Sequence, residues 1–91
     1  MHDDASDEVV GRFVKDGRLV IMPSKRSKLL LILDHIAQEF ELGVTYPEVE
    51  VNDVLRRYHD DYAALRRYLV DEDFLTREAG VYWRSGGTVE V

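Results

Sequence analysis

Residues 75–84 read Leu75-Thr76-Arg77-Glu78-Ala79-Gly80-Val81-Tyr82-Trp83-Arg84, two short strand-like segments around a dipeptide that suits a two-residue turn. A turn at Ala79-Gly80 makes a hairpin with Thr76 opposite Trp83 and Arg77 opposite Tyr82. Successive side chains on a strand point to opposite faces, so Tyr82 and Trp83 part company. Trp83 is the one expected to be buried. Its cross-strand partner Thr76 is small, and the Tyr82 ring can lie beside Arg77.

Three helical patterns precede the hairpin. The third begins at the turn His59-Asp60-Asp61, with Asp61 as N-cap, and runs to about Val70. Tyr62, Leu65 and Leu69 share its inner face, with Arg66 and Tyr68 at the edges and Ala63, Ala64, Arg67 and Asp71 opposite. The second runs from about Pro47 to Tyr58 with Val51, Val54, Leu55 and Tyr58 inward. Thr45-x-x-Glu48 matches a capping box, but Tyr46 before a proline favours Pro47 as the first helical residue. The first spans about Ser24 to Glu41, capped by Ser24 or Ser27. Leu29, Leu30, Leu33, Ile36, Ala37 and Phe40 form its apolar face, and Gly43 closes it. Leu31 falls on the polar face and needs a cover, either the segment before Pro23 or a second subunit.

Val44-Thr45-Tyr46 is a short extended link. Leu19-Val20-Ile21-Met22 is a strand or extended segment, preceded by a turn at Asp16-Gly17 and ended by Pro23. Val9 to Val14 can pack as a short helix. The expected organisation is an acidic flexible tail over 1–8, one domain over 9–84 and a Gly-rich flexible end over 85–91. The order helix, link, helix, turn, helix, hairpin is that of a winged helix-turn-helix, an α+β fold, with the third helix in the recognition position.

Composition bounds the function. The 91 residues make one domain, 45% hydrophobic and 33% charged, without cysteine; disulfides, thiolate metal sites and cysteine nucleophiles are excluded. The longest aliphatic run, Leu29 to Leu33, is too short for a bilayer, and the N-terminus lacks a signal-peptide pattern, so a cytoplasmic protein with no membrane association is expected. Net charge is −6, unevenly spread. Residues 12–28 carry six bases and one acid, whereas residues 29–53 carry six acids and no base. A dedicated nucleic-acid binder is usually basic overall; here only a local basic patch is available.

The ordered set Gly17-Arg18-Leu19, Pro23, Tyr46 with Glu48, Val51-Asn52, Asp61, Leu65-Arg66-Arg67, Leu69-Val70-Asp71, Leu75, Arg77 and Tyr82-Trp83-Arg84 resembles a bacterial family known as the domain of unknown function two-zero-eight-seven. The resemblance covers about residues 12–84. Pro47 stands where that family usually has serine or threonine, and Asp73 where it usually has glycine. Members occur alone or fused behind helix-turn-helix regulator modules and are commonly labelled transcriptional regulators, so the resemblance implies a regulatory association.

Candidate sites are few. His35 and Glu39 stand four apart on a helix, and His2-Asp3-Asp4 resembles His59-Asp60-Asp61, but no further ligands converge in the sequence. Surface histidines and a capping turn are the expectation, with no metal and no cofactor. The pairs Asp60/Asp61 and Glu48/Glu50 lack the opposed environments that acid–base catalysis needs, and no nucleophile elbow or phosphate loop is present. No enzyme is expected. Asp60, Asp61, Ala63 and Ala64 make the start of the third helix a poor DNA reader. Phosphate contacts are expected instead from Lys25, Arg26 and Lys28 at the first helix start, with Arg67, Arg77 and Arg84. Arg66 is expected to lie across Tyr62 or to pair with Glu48 or Asp61. The expected partner is DNA, bound weakly; the alternative is a protein partner or a homodimer, for which Leu31 is the candidate contact.

Overall fold

The computed structural model describes residues 4–89. The order is α1 (Asp4–Phe13), β1 (Val14–Lys15), β2 (Arg18–Leu19), α2 (Arg26–Ala37), β3 (Thr45–Pro47), α3 (Glu48–Arg56), α4 (Tyr62–Asp71), β4 (Leu75–Glu78) and β5 (Val81–Arg84). Over the described residues the architecture is α+β, with four helices, a two-stranded sheet β1-β2 and a three-stranded antiparallel sheet in the order β3-β5-β4. Among the described residues no helix is long and apolar enough to cross a membrane.

At the N-terminal end, α1 is longer than the apolar pattern indicates. It takes in residues 4–8, assigned by composition to a tail, and packs against α2. The β1-β2 hairpin turns at Asp16-Gly17, both with positive φ. Of the expected strand only Leu19 pairs, joined by Arg18 before it, because β1 offers just two residues. Leu19 is buried and its N–H donates to the Tyr58 carbonyl at 2.7 Å; Val20 N–H donates to the Phe13 carbonyl at 2.8 Å. The β1-β2 hairpin thereby ties α1 to the α3–α4 turn. Val20 and Ile21 beyond it are 56% and 60% exposed.

Neither serine caps α2: Lys25 is its N-cap, without a side-chain bond. After Ala37 the chain tightens through i to i+3 bonds, Phe40 N–H reaching the Ala37 carbonyl at 3.0 Å, and this swings Phe40 into the core. Gly43, with φ 81°, serves the following turn rather than the helix end. Ile32, left out of the expected apolar face, is fully buried with Leu33 and Ile36; α1 lying on α2 widens the covered face. Leu31 is half-buried within the single chain.

Pro47 is the N-cap of α3 rather than its first residue, with φ −65° and ψ 153°, and Glu48 N–H donates to the Gly80 carbonyl. Val51 and Leu55 of α3 meet Leu65 and Leu69 of α4 in the core. Asp61 caps α4 as expected, its carboxylate accepting from Ala64 N–H at 3.2 Å. At the other end Asp73 N–H donates to the Val70 carbonyl and Phe74 N–H to the Leu69 carbonyl, with Asp73 at φ 64°. That is a Schellman motif with an aspartate in the position that favours glycine.

The β4-β5 turn is at Ala79-Gly80, both left-handed, with Thr76 opposite Trp83 and Arg77 opposite Tyr82. The inward residue, however, is Tyr82, which is 0% exposed, while Trp83 is half-buried on the outer face. Leu75 pairs with Arg84, and opposed residues share a face. Burying Leu75 therefore turns Arg84 and Tyr82 inward, and Trp83 follows outward. Tyr46 of β3 pairs with Tyr82 and sets its ring edge-on to Phe40 at 5.2 Å.

Arg84 is buried, and its guanidinium donates to the carbonyls of Gly86 (3.0 Å), Phe40 (3.3 Å) and Thr88 (2.5 Å). Asp34 accepts from the N–H and hydroxyl of Thr88 at 2.6 and 2.7 Å. Residues 85–88 are thus folded back onto α2.

Candidate anion-binding cleft

Five residues of α4 recur at helical spacing, Ala63, Arg66, Arg67, Val70 and Asp71, on the side away from Leu65 and Leu69. With Arg77 and Tyr82 of the β4-β5 hairpin they line a cleft of about 230 Å³. Ala63, Val70 and the Tyr82 ring give it apolar walls, and three guanidinium groups give it charge.

The guanidinium groups are oriented by the elements around them. Arg66 donates to the side-chain amide oxygen (Oδ1) of Asn52 on α3 and has its Nε 3.8 Å from Glu48. The pairing expected between Arg66 and Glu48 is therefore present, with Asn52 in addition. Arg77 lies over the Tyr82 ring at 5.8 Å, with Nη2 3.9 Å from Glu48. The Tyr82 hydroxyl donates to Glu48 at 2.7 Å. That bond, with Arg66 and Arg77 nearby, holds the Glu48 carboxyl below its ordinary range although desolvation pulls the other way. Burial, and then the carboxylate, push the Tyr82 hydroxyl up. Arg67 is exposed and makes no side-chain hydrogen bond or ion pair among the described residues.

The sites expected from sequence fare differently. Lys25 is exposed and Lys28 half-exposed at the start of α2. Arg26 pairs with Glu72 at 2.6 Å while remaining largely exposed. Arg67 and Arg77 meet in the cleft. Arg84 does not belong with them: it is buried, each of its three guanidinium nitrogens donates to a backbone carbonyl, and it holds the chain together. Arg66, read as structural, both braces α3 and lines the cleft. Asp60 is paired with Arg18 at 2.9 Å, and Asp61 is occupied as a cap.

His35 and Glu39 converge on Tyr58 rather than on a shared ligand position. The imidazole sits edge-on to the Tyr58 ring at 6.1 Å, and Glu39 accepts from its hydroxyl at 2.5 Å. Burial, reinforced by that bond, pushes the Tyr58 hydroxyl well above its ordinary value. His59 Nδ1 accepts from Asp61 N–H at 2.9 Å; His2 lies outside the described residues. Among the described residues no three His, Cys, Asp or Glu side chains are grouped to hold a metal.

No curated protein and no solved structure matches this chain. A family model, that of an uncharacterised protein conserved in bacteria (DUF2087), matches residues 18–84, from the start of β2 to the end of β5. That span includes every residue of the cleft and leaves out α1, and the chain belongs to the DUF2087 family.

Proposed function

We propose that the chain is a winged-helix module that binds DNA weakly through phosphate contacts, as a component of transcriptional regulation. The observation that carries this reading is the order α2, β3, α3, α4, β4, β5 with β3 joined to β5. Three helices followed by a hairpin whose second strand also pairs with β3 is the order of a winged helix, and in that reading α4 takes the part of the recognition helix. The acids at the start of α4 oppose DNA less than their number implies, since Asp60 has Arg18 as partner. Phosphate contacts come from Lys25, Arg26, Lys28, Arg67 and Arg77; Arg84 is withdrawn from that set.

The test is a fluorescence-anisotropy titration of mixed-sequence duplex DNA. Weak, largely sequence-independent binding that falls steeply with salt is expected. Replacing Lys25, Arg26 and Lys28 together by glutamine should weaken it more than Arg67→Gln, each lost contact lowering the salt slope by about one. Absence of binding at low salt with protein on the order of tens of micromolar would sink the reading. A protein-binding module is the second reading. It is favoured by Val20 and Ile21, adjacent and exposed beside the β1-β2 hairpin; Leu31, half-buried, no longer supports it.

A further inference from the structure

We propose that the cleft between α4 and the β4-β5 hairpin is a binding site for a single phosphate-type oxyanion. This goes beyond the DNA reading and does not depend on it. Three guanidinium groups face two carboxylates there, Glu48 and Asp71, which leaves one net positive charge in a concavity. Glu48 is also engaged by the Tyr82 hydroxyl and touches the arginines only at 3.8 and 3.9 Å. Their forked donors are therefore not consumed by a close bidentate pair, the geometry in which arginine satisfies itself best.

Arg66 is braced by Asn52 and Arg77 by the Tyr82 ring, so two of the three groups are already oriented before a ligand arrives. Arg67 supplies donors without a protein partner among the described residues. The size argues for a small group. Clefts for drug-sized ligands run to about 300–1,000 Å³, whereas this one is about 230 Å³. The methyl of Ala63 leaves the room; a longer side chain at that position would fill it.

Two sources could present the oxyanion, a free phosphomonoester or a phosphodiester of DNA. The experiment follows backbone amide shifts of the full chain on titration with inorganic phosphate, against chloride at equal ionic strength. Saturable shifts at Ala63, Arg67, Val70, Asp71 and Arg77 are expected, with a midpoint on the order of 1 mM. Arg67→Gln should weaken binding by about tenfold. Ala63→Leu, which changes no charge, should abolish it while leaving the melting temperature near that of the parent. Glycerol phosphate and duplex DNA form two further arms: displacement by one, by the other or by both names the source, and each supports the site. Non-saturating shifts, shifts equal to those in chloride, shifts confined to residues 25–28, or full binding by Ala63→Leu would overturn it.

Discussion

Asp73 stands in the left-handed position that ends α4, and replacing it by glycine should stabilise the protein. The Schellman bonds from Asp73 and Phe74 to Val70 and Leu69 fix its backbone at φ 64°. Gly86 packs closely on this turn: a Cβ there would come within 2.4 Å of the Asp73 carbonyl oxygen. An L-residue pays about 1 kcal/mol or more for this conformation, aspartate less than most. Asp71, Glu72 and Asp73 also crowd the negative end of the helix. Among the described residues only Glu72 of these three forms a close ion pair, with Arg26. Removing one exposed charge there returns about 0.3–1 kcal/mol. Against this, glycine loosens the unfolded chain by about 0.4–1 kcal/mol. The net gain is about 1 kcal/mol, or about 4–8 °C in melting temperature for a domain this size. Urea unfolding at neutral pH, followed by far-UV circular dichroism, measures it. Asp73→Asn, which tolerates the conformation and loses the charge, should gain about half as much. Asp73→Ala should gain least or lose. A lower midpoint for Asp73→Gly, or alanine ranking above glycine, would refute the account of this helix end.

Three further outcomes follow from the core and the cleft. Tyr82→Ala should cost about 3–5 kcal/mol and Trp83→Ala clearly less; equal losses in chemical denaturation would contradict the inward placement of Tyr82. Arg84→Gln should destabilise by about 2–4 kcal/mol by stripping donors from three carbonyls, with no loss of DNA or phosphate affinity beyond what unfolding causes; a selective loss of affinity in a folded Arg84→Gln protein would restore Arg84 as a contact. Glu48 has a folded pKa below its ordinary 4.5, so its contribution is complete above that value and disappears as pH falls through the depressed folded pKa. Glu48→Gln should therefore flatten the drop in melting temperature as pH falls below about 5, and an unchanged acid limb would remove Glu48 from the stabilising network.

Local chemistry made the hairpin legible. A turn dipeptide between two strand-like segments sets the register of Thr76 with Trp83, whatever the rest of the chain does. Asp61 was legible for the same reason, since a cap acts within one turn of its own helix. The face of β5 was not a local question. It follows from Leu75 across the strand, an apolar anchor that outweighs the preference of a tryptophan for burial. Burial of Arg84 depends on carbonyls from Phe40, Gly86 and Thr88, and backbone acceptors leave no trace in a side-chain pattern. Pairing of β3 with β5 joins residues 45–47 to 81–83, a separation over which period and propensity say nothing. The cleft was hidden by another rule. Neighbours on a helix do not face each other, so Arg66 and Arg67 looked divided between core edge and solvent. The hairpin lies along the seam between them and brings both to one hollow.

The last of the described strands, β5, is also the middle one of its sheet, and this bears on the order in which the sheet can close during synthesis. β3 and β4 have no pairing with each other; each waits for residues 81–84. With residues added at about 5–20 per second, Arg84 follows the end of α4 by about a second. During that interval Tyr82 is not yet there to fill the core, nor Arg84 to reach the carbonyl of Phe40. One four-residue segment thus closes the sheet, the core and the contact with the end of α2 together.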